Sequence, residues 1–190
     1  MIRTATNADA PAICAIYNHY IRASDATMEE SPIDAGEMSC RMAAITTAWP
    51  WLVAEVEGAV IGYAYANQWK PRSGYRHAVE STVYLAPAHV GHGFGTALYQ
   101  SLIGILGERH VHCAIAGISL SNTASIALHE KFGFRKVGQF HENGIKFSWN
   151  CPTFLKPNFS KVGQFHENGI KFGRWIDVGY WQRMFPSGRP

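Results

Sequence analysis

Twelve residues of this chain occur twice. Residues 136–147 read KVGQFHENGIKF, and residues 161–172, 25 positions later, read KVGQFHENGIKF again. A stacked-repeat fold needs three or more units, and one identical pair does not make one. The pair reads instead as a duplicate set into a single domain, at 148–172 or, equivalently, at 136–160. Without it 190 − 25 = 165 residues remain, still a full domain. Residues 1–190 are therefore expected to form one domain. Two identical segments cannot both fill one strand position. One copy should lie beside the last strand, and the other should loop out or pair elsewhere, a second subunit included. The segment between them, SWNCPTFLKPNFS, has two prolines and no periodicity and reads as loop.

Outside the duplication, strand and helix patterns alternate. A short strand over 2–6 precedes a helix with Asn7 as candidate cap, Pro11 in its first turn and Ile13, Ile16, Tyr17 and Tyr20 at helical spacing. A second helix is expected over 34–46, then a hairpin of two apolar runs, 51–57 and 60–66, around Gly58. Residues 68–77 are polar and predict a surface loop. A strand over 79–85 runs into Gly91-His-Gly-Phe-Gly95 and a helix whose stripe is Phe94, Leu98, Leu102 and Ile105. Then come a strand over 111–118, a helix over 122–132 stopped by Gly133, and a last strand over 175–185. This order predicts an α/β domain, a mixed central sheet flanked by helices.

Composition removes several classes. Apolar residues make up 47%, enough for a packed core. Net charge is only +3, scattered along the chain, so no nucleic-acid stripe exists. No apolar run approaches the ~20 residues of a membrane helix, and the Met-Ile-Arg-Thr start lacks the pattern of a signal peptide. Cys14, Cys40, Cys113 and Cys151 form no Cys-x-x-Cys pair, which argues against a zinc ribbon or a disulfide scaffold. A cytoplasmic chain is expected. Charged residues reach just 16%, against about 25% in an average domain, which suggests a partner subunit over part of the surface.

Two constellations carry chemistry. Strand, then Gly91-x-Gly93-x-Gly95, then helix sets bare N–H groups at a helix N-terminus, where a phosphate binds. A tight strand-to-helix turn accounts for the same glycines. The full dinucleotide-binding G-x-G-x-x-G is absent, and no Gly-Lys-Ser/Thr follows for a P-loop. On the next helix Asn122, Ser125 and His129 form a polar stripe at i, i+3 and i+7. Asn122 also suits a plain N-cap, and His129 a satisfied structural histidine.

TVYLAPAHVGHGFGTALYQSLI followed by SLSNTASIALHEKFGF resembles the acetyl-CoA-binding core of the GNAT N-acetyltransferase superfamily. Within it, WKPRSGYRHAVESTVYL, the histidine of LHEKFGF and IKFGRWIDVGYWQ resemble the phosphinothricin N-acetyltransferase family, which includes acetyltransferases for methionine sulfone and sulfoximine. The resemblance runs from Ile2 to about Phe185, broken only by the 25-residue segment. It implies a GNAT fold, acetyl-CoA as co-substrate, a small-molecule amine as acceptor and a homodimer.

The same resemblance implies residue roles. N–H groups of Val90, Gly91, His92, Gly93, Phe94, Gly95 and Thr96 would hold the coenzyme A pyrophosphate, with Asn122 and Ser125 on the following helix also facing the coenzyme. Val83, Tyr84 and Leu85 would pair with the pantetheine arm and bind the acetyl carbonyl. Glu80 would be the general base, since an α-amine of pKa about 8 is mostly protonated at pH 7 and must lose that proton to attack. A strand-end ion pair with Arg76 is the plainer account of Glu80. His129 would protonate the departing thiolate or help the base. Lys70, Tyr75 and Arg76, with Glu29 at the edge and either Lys146 or Lys171 from the duplicated segment, would line the acceptor pocket. Two departures stand out: Val90 replaces an expected Arg or Gln, and His92 a frequent basic residue, so backbone contacts must carry the pyrophosphate.

The close pairs His89/His92 and His110/His112 lack a third ligand at useful spacing, so no metal is expected. The expected reaction moves acetyl from acetyl-CoA to the α-amine of a small amino acid or analogue by direct attack. Two rivals remain: a GNAT enzyme for another amine, such as a polyamine or a protein N-terminus, and an acyl-CoA-binding protein whose catalysis the duplication has impaired.

Overall fold

The computed structural model describes residues 1–140, 143–144, 168–171, 174–175 and 178–185. Its centre is a seven-stranded sheet in the order β1-β2-β3-β4-β5-β10-β6. The strands are β1 (Ile2–Thr4), β2 (Trp51–Val56), β3 (Ala59–Gln68), β4 (Ala78–Leu85), β5 (Cys113–Ser119), β6 (Arg135–Phe140) and β10 (Val178–Met184). Every pairing in it is antiparallel except β4 with β5. The sheet is mixed, as the alternation predicts.

Residue period 2 sorts the strands onto two cores. Leu52, Ala54, Ala64, Ala66 and Val79 meet α3 (Phe94–Glu108) on one face. Trp51, Val53 and Tyr63 meet α1 (Ala10–Ala23) and α2 (Ala35–Thr46) on the other. The α3 face buries Leu98, Tyr99, Leu102, Ile103 and Leu106, while the expected stripe members Phe94 and Ile105 are only partly buried. The helix is therefore rotated from the expected stripe, with Tyr99 turned inward. Each fully buried leucine contributes roughly 1.5–3 kcal/mol.

Helix ends follow local chemistry. Asp34 caps α2, its Oδ1 accepting from the Glu37 N–H at 2.8 Å. The expected cap of α1 is corrected: Asp9, not Asn7, precedes Ala10. Asp9 accepts the Thr6 N–H at 2.7 Å and takes both Arg3 Nη atoms at 2.8 Å, while Asn7 accepts from Ser39. That grip holds the Asp9 carboxyl down at about 2.

The first copy of the duplicated sequence takes the sheet position. Arg135–Phe140 pairs antiparallel with β10, from Gln182↔Arg135 to Val178↔Phe140. Part of the second copy forms β8 (Asn168–Lys171), which pairs antiparallel with β9 (Arg174–Trp175). It also pairs in parallel with β7 (Asn143–Gly144), Asn143 opposite Asn168 and Gly144 opposite Gly169. The two copies thus meet each other in register, as identical strands do when they stack. The connecting segment between the copies lies outside the described residues.

Candidate active site

β4 and β5 pair at Ala78↔Cys113, Val79↔Ala114 and Glu80↔Ile115, and the ladder stops there although the strands run on to Leu85 and Ser119. On its other side β4 stays paired with β3 through Gly62↔Leu85. The inner edges of the two strands therefore face an opening, a cleft of about 740 Å³. Val83, Tyr84 and Leu85 form one wall and Gly117, Ile118 and Ser119 the other.

The glycine turn closes the far end. Gly91 and Gly93 have φ of +85° and +83°, a region in which a side chain is strained, and Gly93 is the N-cap of α3. Nothing lies within 4 Å of a Cβ built on either, so a ligand has access to the backbone there. Gly95 packs inward, where a Cβ would sit 3.3 Å from Leu85 Cδ1. The first N–H groups of a 15-residue helix open onto the cleft, a seat for an anion. Val90, Gly91, Gly93, Gly95 and Thr96 line it, whereas His92 is exposed outside it and Phe94 turns to His89 and the core. On α4 (Thr123–Lys131) Asn122 and Ser125 line the opposite side, and Asn122 is also the N-cap, accepting from the Ser125 N–H at 3.1 Å.

Glu80 stands where the strands part, half-buried, and burial lifts its carboxyl above the ordinary range, with Lys70 acting in the opposite sense. Its Oε1 is 3.8 Å from where a Gly117 Cβ would be, and the Tyr180 ring 3.5 Å from that point. Its charge also helps raise the Tyr65 and Tyr180 hydroxyls, after desolvation. Sequence reasoning missed these two tyrosines. The alternation along β3 contains the signal for Tyr65: Tyr65 pairs with Thr82 and Asn67 with Glu80, all on one sheet face.

Lys70 is brought close enough to act on Glu80, and its Nζ lies 4.6 Å over the Trp69 ring, itself 5.8 Å from Tyr180. Tyr75 and Arg76 are not brought in. Tyr75 is 43% exposed, and Arg76 donates to Ser73 O at 3.2 Å rather than pairing with Glu80. Glu29 is not a loosely solvated loop residue, because its Oε1 accepts from Arg41 Nη1 at 2.6 Å. The Lys146 and Lys171 side chains lie outside the described residues.

His129 is buried on the other face of the sheet, its ring 4.7 Å from Tyr99 and 5.2 Å from Phe134. It lines the cleft, whereas Glu80 is not among the lining residues and reaches the cleft's edge beside Gly117, on the opposite sheet face. Burial lowers its pKa to about 4, against an ordinary 6.5. Its Nδ1 is 2.7 Å from Ser125 O, a bond that needs the proton on Nδ1 and leaves a lone pair on Nε2. Nε2 is buried with no partner among the described residues. In this state the imidazole offers Nε2 as an acceptor, and its proton is held by the Ser125 carbonyl. Among the described residues no three metal-ligating side chains gather.

Residues 2–150 match the family model of the acetyltransferase (GNAT) domain. The chain belongs to the GNAT acetyltransferases. Among its GNAT relatives, it is 36% identical over 189 residues to the phosphinothricin N-acetyltransferase of Streptomyces viridochromogenes, covering 100% of this chain and 90% of that one. It is 37% identical over 157 residues to the L-methionine sulfoximine/L-methionine sulfone acetyltransferase of Salmonella typhimurium, covering 82% and 92%. The fold matches a GNAT phosphinothricin acetyltransferase from Sinorhizobium meliloti, solved with AcCoA, at a TM-score of 0.83 and 34% identity over 99% of this chain and 89% of that one. Acetyl-CoA is thus the co-substrate of an N-acetyltransferase of the phosphinothricin and methionine sulfoximine type, and the bare glycine backbone at the α3 N-terminus fits its pyrophosphate.

Proposed function

We propose that this GNAT enzyme acetylates the α-amine of a small amino acid or analogue, in the class of phosphinothricin, methionine sulfone and methionine sulfoximine. The observation that carries the reading is Glu80, a carboxylate desolvated at the point where β4 and β5 part. Its raised pKa makes it a better base toward an ammonium group than a solvated glutamate. An α-ammonium loses two protons on becoming an amide. Glu80, directly or through a water, takes the first and frees the nitrogen lone pair. The nitrogen then attacks the acetyl carbonyl, main-chain N–H groups of β4 hold the oxyanion, and the C–S bond breaks as the adduct collapses. The second proton leaves the nitrogen and, in net terms, goes to the thiolate. His129, neutral, accepts a hydrogen bond from the far side of the gap. Cys113 does not line this cleft, so no acyl-enzyme is invoked.

The acceptor pocket is open in one chain: Tyr75 and Arg76 lie exposed, as do Val137 on edge strand β6 and Met184 on β10. These surfaces support a homodimer, in which Arg76 grips the acceptor carboxylate. Cys14, Cys40 and Cys113 are free thiols, which fits a cytoplasmic enzyme. Glu80→Gln tests the reading. It should lower kcat on methionine sulfoximine by about a hundredfold or more and abolish the acid limb of the pH profile while acetyl-CoA still binds. Unchanged kinetics would remove Glu80 as the base.

A further inference from the structure

Tyr99 is the one polar side chain among the buried residues of α3, whose other large members are Leu98, Leu102, Ile103 and Leu106. Its hydroxyl lies 2.8 Å from Oγ of Ser81, which is itself buried. Ser81 is the first residue of β4 beyond the last pair of the ladder, Glu80↔Ile115, and it lines the coenzyme cleft. Its hydroxyl donates to the Ile115 carbonyl at 3.4 Å. With the Ser81 hydrogen there, Tyr99 is the donor to Ser81. The two hydroxyls therefore stand where the strands part, on the face opposite Glu80.

This bond closes a stretch of chain whose far end is the pyrophosphate seat. From Ser81, β4 rises to Leu85 over about 13 Å. The glycine turn follows, and α3 returns from its N-cap Gly93 to Tyr99, about 9 Å along its axis. Aliphatic packing is non-directional and lets a helix slide along a sheet, whereas a hydrogen bond holds its partners at one distance and angle. A slide of α3 by one residue would move the seat about 1.5 Å relative to the point where the strands part. Stability alone does not call for the pair, because replacing both members of a buried hydrogen bond by apolar groups of similar shape is nearly neutral.

We propose that Ser81 and Tyr99 are a positioning pair that fixes the span between the pyrophosphate seat at residues 91–95 and the parting of β4 and β5, so that a coenzyme held by its pyrophosphate delivers its acetyl group beside Glu80. The delivery point rests on the proposed function. The span is read by coenzyme binding with no acceptor present, so the two fail separately. The test is titration calorimetry with acetyl-CoA, which reaches from seat to parting, and with ADP, which carries two phosphates and no pantetheine arm. It is run on the wild type, on Tyr99→Phe and on the double variant Ser81→Ala/Tyr99→Phe, each with its thermal unfolding midpoint.

The double variant, which leaves no hydroxyl of the pair unpartnered, should keep a midpoint close to the wild type's. Its Kd for acetyl-CoA should rise about tenfold, while its Kd for ADP stays within about twofold. Tyr99→Phe keeps the ring and its packing, should show the same selective loss, and decides the matter alone if the double variant does not fold. An unchanged Kd for acetyl-CoA in a folded variant overturns the inference. So does an equal loss for acetyl-CoA and ADP, which a general loosening of the fold would produce. A wild type that binds acetyl-CoA but not ADP overturns the seat as an independent anchor, and this inference with it.

Discussion

Acid should destabilise this protein through one residue in a definite pH window. His129 titrates at about 4 in the fold against an ordinary 6.5. Its neutral form is favoured in the native state, so the unfolded chain takes up the proton first as pH falls. Above pH 6.5 both states are neutral and the full contribution is present. Between 6.5 and about 4 only the unfolded state is protonated, and stability is lost at 1.36 kcal/mol per pH unit, about 3 kcal/mol across the window. Below about 4 the loss stops growing. Other groups titrate nearby: the raised Glu80 carboxyl acts in the opposite sense, and the lowered Asp9 contributes a loss only between 3.8 and about 2. Both are common to wild type and to His129→Phe, so the difference between the two proteins isolates the histidine. Urea unfolding followed by tryptophan fluorescence, at half-unit steps from pH 7.5 to 4, should give a wild-type curve that falls by about 3 kcal/mol more than the variant's. Parallel curves would refute the reasoning, as would an imidazole seen to titrate near its ordinary value by NMR.

Other perturbations have equally definite outcomes. Gly93→Val, at a φ of +83° in open space, should strain the α3 N-cap and raise KM for acetyl-CoA more than KM for the amine, read from initial rates. Asp9→Ala breaks the paired contact to Arg3 and the bond to the Thr6 N–H, and should cost about 2 kcal/mol in denaturant unfolding without altering KM for either substrate. Gly117→Val would crowd Tyr180 and Glu80, and should lower activity on amino acids while acetyl-CoA binding by calorimetry is kept. Deleting residues 148–172 gives the same 165-residue chain as deleting 136–160; it should preserve or improve thermal stability, and an unfolded product would show that the duplicate is not dispensable.

The sequence was most readable where one residue type has one physical use. Positive φ at Gly91 and Gly93, the Asn122 cap and the Gly133 stop all follow from glycine and asparagine chemistry. Asp34 was legible for the same reason. Asn7 was not, because the cap that won is fixed by Arg3, a partner on another element. Placement of Glu80 was readable, but its surroundings were not. Tyr65 approaches through the β3 register, Tyr180 from a strand about a hundred residues away, and Gly117 from across an unpaired edge. The surroundings of His129, buried against Tyr99 and Phe134 with its pKa lowered, are revealed by no spacing in the sequence. Choice between the two repeat copies turned on which meets β10, a tertiary fact that identical sequences cannot contain.

The central claim is acetyl transfer to an amino-acid amine at the parting of β4 and β5. Thiol release from acetyl-CoA, measured with phosphinothricin, methionine sulfone, methionine sulfoximine, common amino acids and a polyamine, tests it most directly. Turnover confined to the amino acids and their analogues is the predicted result. Turnover on the polyamine alone, or silence across the panel while acetyl-CoA still binds, would contradict it.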